Sequence, residues 1–243
     1  MVADTPLARG EVAVWWMETA MVEPADLRRW LQMLDDGERE RAGRFHSEID
    51  RREFIAAHAL LRSMLASYAN SPAREWRFTC DADGKPRIDP RMGSAELPFN
   101  LSHTRGLVAA AVAAQGIVGI DVERIDPAKA DFAMAEEYFA PAEVRLLRGM
   151  RAAEQTKGFF RFWTLKEAYV KAIGTGLGTP LNSFAFAFEP IRITFDPATT
   201  GHAADWQFAI LPTTDQHVLS VAVGHHGGVP VRVTPRTIAP RNL

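Results

Sequence analysis

Apolar side chains recur at helical spacing in two long segments of the chain. In residues 50–68 this spacing predicts an amphipathic helix, and Ser47, three residues before Asp50, is placed to cap its start. In residues 156–173 apolar and aromatic side chains cover most of the helix circumference, which is typical of a buried helix, and Gly174 is placed to end it. Pro141 fits the first turn of a shorter helix that runs to Leu147.

Short segments with strand character surround these helices, and polar or glycine-containing turns separate them. The predicted strands are 76–80, 97–101, 107–113, 117–122, 184–188, 191–195, 206–211 and 218–223. Residues 81–84 read as a turn, and residues 102–106 read as a polar connection. Helix followed by strands thus occurs twice, with a break near Gly116. We predict an α+β fold of two similar halves, residues 1–115 and 116–243.

Composition narrows the class of protein. The 243 residues are 47% hydrophobic and 24% charged, which is ordinary for a globular protein able to bury a core. The net charge of −2 lacks the basic surplus of a general nucleic-acid binder, so we expect no nucleic-acid partner. The single cysteine, Cys80, excludes an internal disulfide. With no signal peptide and no apolar run of roughly 18 residues, we expect no membrane association and a cytoplasmic location.

Two carboxylates stand out on the strand predicted at 117–122 and just beyond it. Asp121 and Glu123 are two residues apart, so their side chains share one face, while Ile120 and Val122 lie on the other. Two carboxylates on one face repel unless a cation or protons neutralise them. Such a pair is a usual part of a Mg²⁺ site that substrate phosphates complete. A solvated strand edge would carry the same pattern, and the strand alone does not decide between the two.

A second charged pair lies in the aromatic helix. Glu167 and Lys171 are four residues apart, which on a surface helix would form an ordinary ion pair. In a largely apolar helix, however, a third metal ligand and a phosphate-binding lysine would better explain them. The segment 174–178, Gly-Thr-Gly-Leu-Gly, follows a helix and lacks the lysine of a phosphate loop, so we interpret it as a helix C-cap and loop.

Together these segments resemble a known family. Gly119-Ile120-Asp121-Val122-Glu123, followed by residues 162–174, Phe-Trp-Thr-Leu-Lys-Glu-Ala-Tyr-Val-Lys-Ala-Ile-Gly, is similar to the two signature motifs of the phosphopantetheinyl transferases. The length, with both halves in one chain, resembles the larger pseudo-dimeric type that activates peptide synthetases and polyketide synthases. The resemblance implies a small antiparallel sheet packed with a long helix in each half, and an active site in the cleft between them. It also implies a monomer.

Upstream segments extend the resemblance to the binding of coenzyme A. Residues 84–86, Gly-Lys-Pro, resemble the family's adenine-side loop, and residues 99–103, Phe-Asn-Leu-Ser-His, resemble its Asn-x-Ser-His motif. Residues 41–45 resemble a basic segment that reaches the 3′-phosphate, and in related chains the next helix often carries an arginine where His58 stands. The implied coenzyme A contacts are Arg41, Arg44, Gly84, Lys85, Pro86, Asn100, Ser102, His103 and Lys171.

The resemblance implies a transfer reaction and a role for each site residue. The phosphopantetheine arm of coenzyme A would pass to a serine of an apo acyl or peptidyl carrier protein, and adenosine 3′,5′-bisphosphate would leave. Mg²⁺ would be the cofactor, on Asp121, Glu123 and Glu167. Glu167 would also help to deprotonate the serine, while Lys171 and His103 would offset charge on the pyrophosphate.

Two other functions stay open from the sequence. One is a Mg²⁺-dependent phosphohydrolase that uses the same three carboxylates but has no use for Lys85 or His103. The other is a non-catalytic module that binds carrier proteins and keeps the fold, for which a metal site would serve no purpose. Turnover of a generic phosphate ester would reveal the first, and coenzyme A binding that needs no metal would favour the second.

Overall fold

A computed structural model gives the architecture and describes residues 6–69, 71–81, 84–93, 97–196, 201–225 and 230–243. Its helices and strands occur in separate runs along the chain, in the α+β arrangement that the sequence predicts. The helices are α1 (Pro24–Leu31), α2 (Asp36–Gly43), α3 (Glu48–Tyr68), α4 (Phe132–Tyr138), α5 (Pro141–Gly149) and α6 (Ala152–Ile173). The strands are β1 (Glu11–Glu18), β2 (Phe78–Cys80), β3 (Pro86–Ile88), β4 (Phe99–Thr104), β5 (Leu107–Ala113), β6 (Ile117–Arg124), β7 (Phe184–Phe188), β8 (Ile191–Phe195), β9 (Trp206–Leu211), β10 (His217–Gly224) and β11 (Arg232–Thr237).

The first sheet has the strand order β11-β1-β5-β4, and α3 packs on one of its faces. Ser47 caps α3 as predicted, since its Oγ accepts a hydrogen bond from the amide of Asp50 at 3.3 Å. Apolar residues of α3 and alternate residues of β1 and β5 form one buried cluster. Burial of this amphipathic face is what stabilises the long helix against the sheet.

The second sheet has the order β6-β10-β9, and α6 packs on it. The helix ends where the sequence predicts, because Gly174 follows it with a φ of 82°, a left-handed conformation that glycine adopts without strain. Residues Gly176–Gly178 continue as a short 3₁₀ turn, so this glycine-rich stretch ends a helix, as predicted. It does not open a helix as a phosphate loop would.

The two sheets pack face to face, which gives four layers in the order helix, sheet, sheet, helix. The shared core draws alternate residues from both sheets, among them Val14 and Ala111 of the first and Ile120 and Val221 of the second. The α+β fold with a helix on each sheet is therefore confirmed. One detail differs: β11 pairs with β1 in parallel, so the first sheet is mixed, and a strand from near the C-terminus completes it. The division at 115/116 stays a prediction.

The sequence suggested that residues 102–104 belong to a polar connection, but in the structure they are part of β4. His103 pairs with Val108 and Thr104 with Leu107, so only Arg105 and Gly106 remain to form a two-residue hairpin turn. Polar residues occur in this strand because it borders the site. Residues 82 and 83 of the predicted turn at 81–84 lie outside the described residues. Nowhere in the described part of the chain is a helix both long and apolar enough to cross a membrane.

Candidate active site

The site lies at a seam where an edge strand of each sheet meets the other. β4 ends the first sheet and β6 begins the second, and side chains of β4 join them. Asn100 Oδ1 accepts a hydrogen bond from the amide of Ile120 at 2.9 Å, and Ser102 Oγ accepts one from the amide of Val122 at 3.2 Å. Both residues are buried. Asn100 and Ser102, which the sequence suggests as coenzyme A contacts, thus hold the two sheets in register at this point.

Asp121 is the centre of the cluster. Its Oδ1 accepts hydrogen bonds from Ser102 Oγ at 3.0 Å and from Lys171 Nζ at 2.6 Å, and Lys171 Nζ also donates to Ser102 Oγ at 3.0 Å. The other carboxylate oxygen, Oδ2, is buried and accepts no hydrogen bond from any described residue. A buried carboxylate oxygen without a partner is costly, so a further cation or donor would stabilise it.

Glu123 and Glu167 add two more carboxyl groups beside Asp121. Burial, and then the charge of Asp121, raise the pKa of Glu123 to about 7. The same two causes raise the pKa of Glu167, while Lys171 opposes the shift. The approach of α6 to β6 that brings them together depends on Gly119, where a Cβ atom would lie 2.0 Å from the carbonyl oxygen of Ala168. No other residue would fit there without moving the helix.

The residues present suit a hard divalent cation, although their side chains are not already arranged as a complete set of metal ligands. Among the described residues, no group of three or more His, Cys, Asp or Glu side chains is close enough to hold an ion. Lys171 supplies the positive charge that Asp121 needs in this conformation. The unpartnered Oδ2 of Asp121 and the raised pKa values of Glu123 and Glu167 are nevertheless what oxygen ligands show before a cation neutralises them.

His103 follows Ser102 on β4 and lies near the positive charges of Lys171 and Arg41. Desolvation, and then the positive charges of His58, Lys171 and Arg41, lower the pKa of His103 to about 4, and Asp50 opposes them. A place where positive groups crowd together is suited to bind an anion.

The two arginines of the basic segment differ in their surroundings. Arg41 lies on α2 with its guanidinium 5.4 Å from the ring centroid of Phe54 on α3. Arg44 is mostly exposed and pairs with Glu40 at 2.5 Å, which is an ordinary surface ion pair. Both arginines, with Phe45, line an open cleft of about 620 Å³ on this helix. Only Arg41 of the two is near enough to His103 to influence its charge.

The Gly84-Lys85-Pro86 segment reaches across from the first half to the second. Lys85 Nζ donates a hydrogen bond to the carbonyl oxygen of Ala172 in the last turn of α6 at 2.7 Å. Burial and the nearby Arg87 lower the pKa of Lys85 to about 8. Lys85 and Pro86 also line a cavity of about 210 Å³ together with Phe99 and Ile117. The lysine therefore ties the loop to the helix that carries Glu167 and Lys171.

Two buried ionic networks escaped the sequence analysis. Lys166 and Glu143, both fully buried, pair at 2.8 Å beneath α6, where Lys166 Nζ also donates to the carbonyl oxygens of Leu181 and Phe184. In the first half, fully buried Arg62 holds two carboxylates of the α2 segment, Asp35 and Glu38. The sequence signal for such a network is a charged residue at an apolar position of a helix, because a buried charge requires a partner.

Comparison with known proteins identifies the family. A family described as "4'-phosphopantetheinyl transferase superfamily" matches residues 117–222, and one described as "4'-phosphopantetheinyl transferase, N-terminal" matches residues 21–115. The chain is 34% identical over 224 residues to the 4'-phosphopantetheinyl transferase HetI of Nostoc sp., covering 92% of each protein. It is 31% identical over 157 residues to the 4'-phosphopantetheinyl transferase Sfp of Bacillus subtilis, covering 65% of this chain and 67% of that protein.

The match to HetI runs through nearly all of both chains, and the two family matches together cover both halves. The chain therefore belongs to the 4'-phosphopantetheinyl transferase family. Among solved structures it is similar in part to the holo-[acyl-carrier-protein] synthase of Thermotoga maritima, with 21% identity, 45% of this chain and 62% of that chain covered, and a TM-score of 0.37. A likeness this low carries no argument of its own.

Proposed function

We propose that this chain transfers the 4′-phosphopantetheine arm of coenzyme A to a serine of an acyl or peptidyl carrier protein and releases adenosine 3′,5′-bisphosphate. The observation that carries the proposal is the cluster at the seam of the two sheets. There Asp121 is bound by Lys171 and Ser102, with Glu123 and Glu167 alongside. Carboxylates beside a lysine are suited to a pyrophosphate substrate that arrives with a divalent cation.

The proposed cofactor is Mg²⁺, held by Asp121, Glu123 and Glu167. When bound, the ion would supply positive charge against the pyrophosphate and the leaving group. The Oδ2 of Asp121 supports this assignment, because it is buried and no described residue donates a hydrogen bond to it. The desolvated carboxyl groups of Glu123 and Glu167 support it in the same way.

This chain's own residues would position the reactants and move one proton. The serine oxygen forms a new bond to the β-phosphorus of coenzyme A, and the bond from that phosphorus to the oxygen of the leaving nucleotide breaks. Glu167 accepts the serine proton, a role that its raised pKa favours. Lys171 offsets the negative charge that develops on the phosphate oxygens, and His103, whose pKa is lowered to about 4 without substrate, would donate a hydrogen bond to them.

The nucleotide end of coenzyme A would lie on the first half. We place the 3′-phosphate near Arg41, with Arg44 at the edge of the same cleft, and the adenine in the cavity beside Gly84, Lys85 and Pro86. Asn100 and Ser102 would act mainly by fixing the seam on which the pyrophosphate rests. We further propose that the protein works as a monomer in the cytoplasm.

The test is to mix the protein with coenzyme A, Mg²⁺ and a panel of apo carrier proteins, and to weigh the carriers by mass spectrometry. One carrier should gain the mass of a single arm, and EDTA should prevent the gain. Asp121→Ala should abolish transfer, and Glu167→Gln should lower kcat far more than it weakens coenzyme A binding. Glu154→Gln, an exposed carboxylate on the same helix, is the control and should transfer at the parent rate.

Three outcomes would contradict the proposal. Near-parent transfer by both Asp121→Ala and Glu167→Gln in saturating Mg²⁺ would refute the assigned chemistry. Hydrolysis of a generic phosphate ester without any carrier would favour a phosphohydrolase. Binding of carriers with no mass gain in any of them would favour a non-catalytic module.

A further inference from the structure

The helix α6 touches its sheet through a pair of buried hydroxyl groups close to the acidic cluster. Thr164 Oγ1 on α6 lies 2.7 Å from Ser220 Oγ on β10, and both residues are completely buried. Ser220 stands directly opposite Asp121 in the antiparallel pairing of β10 with β6. Directly opposite residues share one face of a sheet, so the side chains of Ser220 and Asp121 both point toward α6. The hydroxyl pair therefore adjoins the central carboxylate of the site.

The distances settle how the two protons of this pair are shared. Thr164 Oγ1 also lies 2.8 Å from the carbonyl oxygen of Phe160, one turn earlier in α6, and a carbonyl oxygen can only accept. If Thr164 donates to Phe160, Ser220 donates to Thr164 and both protons have an acceptor. If Thr164 donated to Ser220 instead, the Ser220 proton would have no acceptor among the described residues. The hydrogen bonds therefore run from Ser220 to Thr164 and from Thr164 to the backbone of α6.

Glu167 lies between this pair and a close approach of α6 to β6. Thr164 precedes Glu167 by three residues, and Ala168 follows it directly, where a Cβ atom on Gly119 would lie 2.0 Å from the Ala168 carbonyl oxygen. The contact at Gly119 sets the distance between the helix and the sheet. The hydroxyl contact reaches the neighbouring strand β10, so it limits how far the helix can turn about the first contact. Together the two contacts fix the direction in which Glu167 faces Asp121, whose charge acts on it.

We propose that Thr164 and Ser220 are positioning residues for Glu167, and that the hydrogen bond between them, rather than their packing, performs this role. The inference rests on the proposed function, in which Asp121, Glu123 and Glu167 hold Mg²⁺. The coordination geometry of Mg²⁺ is strict, so a ligand on a helix gains from a backbone that is fixed before the ion binds. Both hydroxyl groups are already used within the protein, and they act on the site only through the position of the helix.

Two substitutions of Thr164 separate the hydroxyl group from the packing. Thr164→Val keeps the shape and removes the hydroxyl, whereas Thr164→Ser keeps the hydroxyl and removes a methyl group. The probe is Mn²⁺, whose binding to the protein with coenzyme A present and no carrier is followed by electron paramagnetic resonance. We expect Thr164→Val and Ser220→Ala to raise the Kd for Mn²⁺ by about tenfold, as the loss of a partner that orients a metal ligand predicts. Thr164→Ser should bind Mn²⁺ as the parent does.

Further measurements distinguish positioning from a general loss of structure. The double variant Thr164→Val/Ser220→Ala should bind Mn²⁺ no more weakly than the weaker single variant, because the two hydroxyl groups act as one unit. The Kd for coenzyme A in EDTA should stay at the parent value, while kcat in saturating Mg²⁺ should fall in Thr164→Val and Ser220→Ala. Ser67→Ala is the matched control. It removes a buried hydroxyl that donates to the Ser63 carbonyl oxygen on α3, and it should leave Mn²⁺ binding unaffected.

The outcomes distinguish this inference from the proposed function. If the parent transfers no arm to any carrier, or transfers it without binding Mn²⁺, the proposed function or its cofactor fails, and the inference fails with it. If the parent transfers the arm and binds Mn²⁺, parent-like Mn²⁺ binding by both Thr164→Val and Ser220→Ala overturns the inference alone. It is also overturned if Thr164→Ser weakens Mn²⁺ binding as much as Thr164→Val does, because packing would then explain the pair.

Discussion

Removing the ammonium of Lys166 should reveal how far the signature helix depends on a buried ion pair. Lys166 and Glu143 are both fully buried and pair at 2.8 Å. Glu143 also accepts from the amides of Ala140 and Phe186, so its carboxylate is saturated with donors. Burial raises the pKa of Glu143 and lowers that of Lys166, which means that each charge is tolerated only because the other is present.

Lys166→Met would keep the apolar volume but leave the Glu143 carboxylate uncompensated and two carbonyl oxygens without a donor. Breaking a buried pair in this way costs about 3–5 kcal/mol. For a protein of this size that corresponds to a fall in Tm of roughly 10 °C. The assay is equilibrium unfolding in urea, followed by tryptophan fluorescence at constant pH in EDTA. Lys157→Met, an exposed lysine on the same helix, is the control and should change the free energy of unfolding by less than about 0.5 kcal/mol.

A double variant tests whether the loss belongs to the pair rather than to lysine alone. Lys166→Met combined with Glu143→Gln removes both charges, so its cost should be smaller than the sum of the two single changes by about 1–3 kcal/mol. The reasoning would be refuted if Lys166→Met unfolded at the same urea concentration as the Lys157→Met control. It would also be refuted if the two single costs simply added.

Two further predictions concern the metal-free site and the carrier. Because the folded-state pKa of Glu123 is raised from 4.5 to about 7, the free energy of unfolding should fall as pH rises from 4.5 to about 7 and level off above that. In EDTA, the free energy of unfolding of Glu123→Gln should therefore equal that of the parent near pH 4 and exceed it by on the order of 2–3 kcal/mol above pH 8. A difference between the two proteins that does not vary with pH would contradict this. Tyr138 is an exposed aromatic on α4, the helix that follows β6 in the chain, so Tyr138→Asp should raise the KM for the carrier and leave the Kd for coenzyme A unchanged. Buried Phe139→Ala should instead destabilise the fold, and an unchanged carrier KM in Tyr138→Asp would place docking elsewhere.

The sequence predicts the two long helices and most strands because each shows a clear period. α3 and α6 bury a long apolar surface, β5 is a continuous apolar run, and β10 is apolar over most of its length. The pattern does not indicate β11, which has the sequence Arg-Val-Thr-Pro-Arg-Thr and is mostly exposed. That strand exists because the edge of β1 offers main-chain partners, and such a tertiary cause leaves little trace in local hydropathy. β1, β3, α1, α2 and α4 were also missed.

The site was predictable as far as it depends on side chains within one element. The two-residue period of a strand places Asp121 and Glu123 on one face of β6. The period of a helix places Glu167 and Lys171 on one face of α6. The sequence does not show which residue of the other sheet each of these side chains contacts. Nothing local indicates that Ser102 donates to Asp121, or that Lys85 binds the last turn of α6. Those contacts join segments that lie far apart in the chain and form only after the two halves have packed.

The way in which β4 meets β6 keeps the two sheets separate at the site. If these edge strands paired through their main chains, the two sheets would merge into one. Instead Asn100 and Ser102 satisfy two amides of β6 with side-chain oxygens. The edge amides are therefore paired without bringing the strands to ladder distance. Ser102 then has a proton left to donate to Asp121, so the bond that holds the halves together also orients the central carboxylate. In this protein the join between the halves and the organisation of the site depend on the same hydroxyl group.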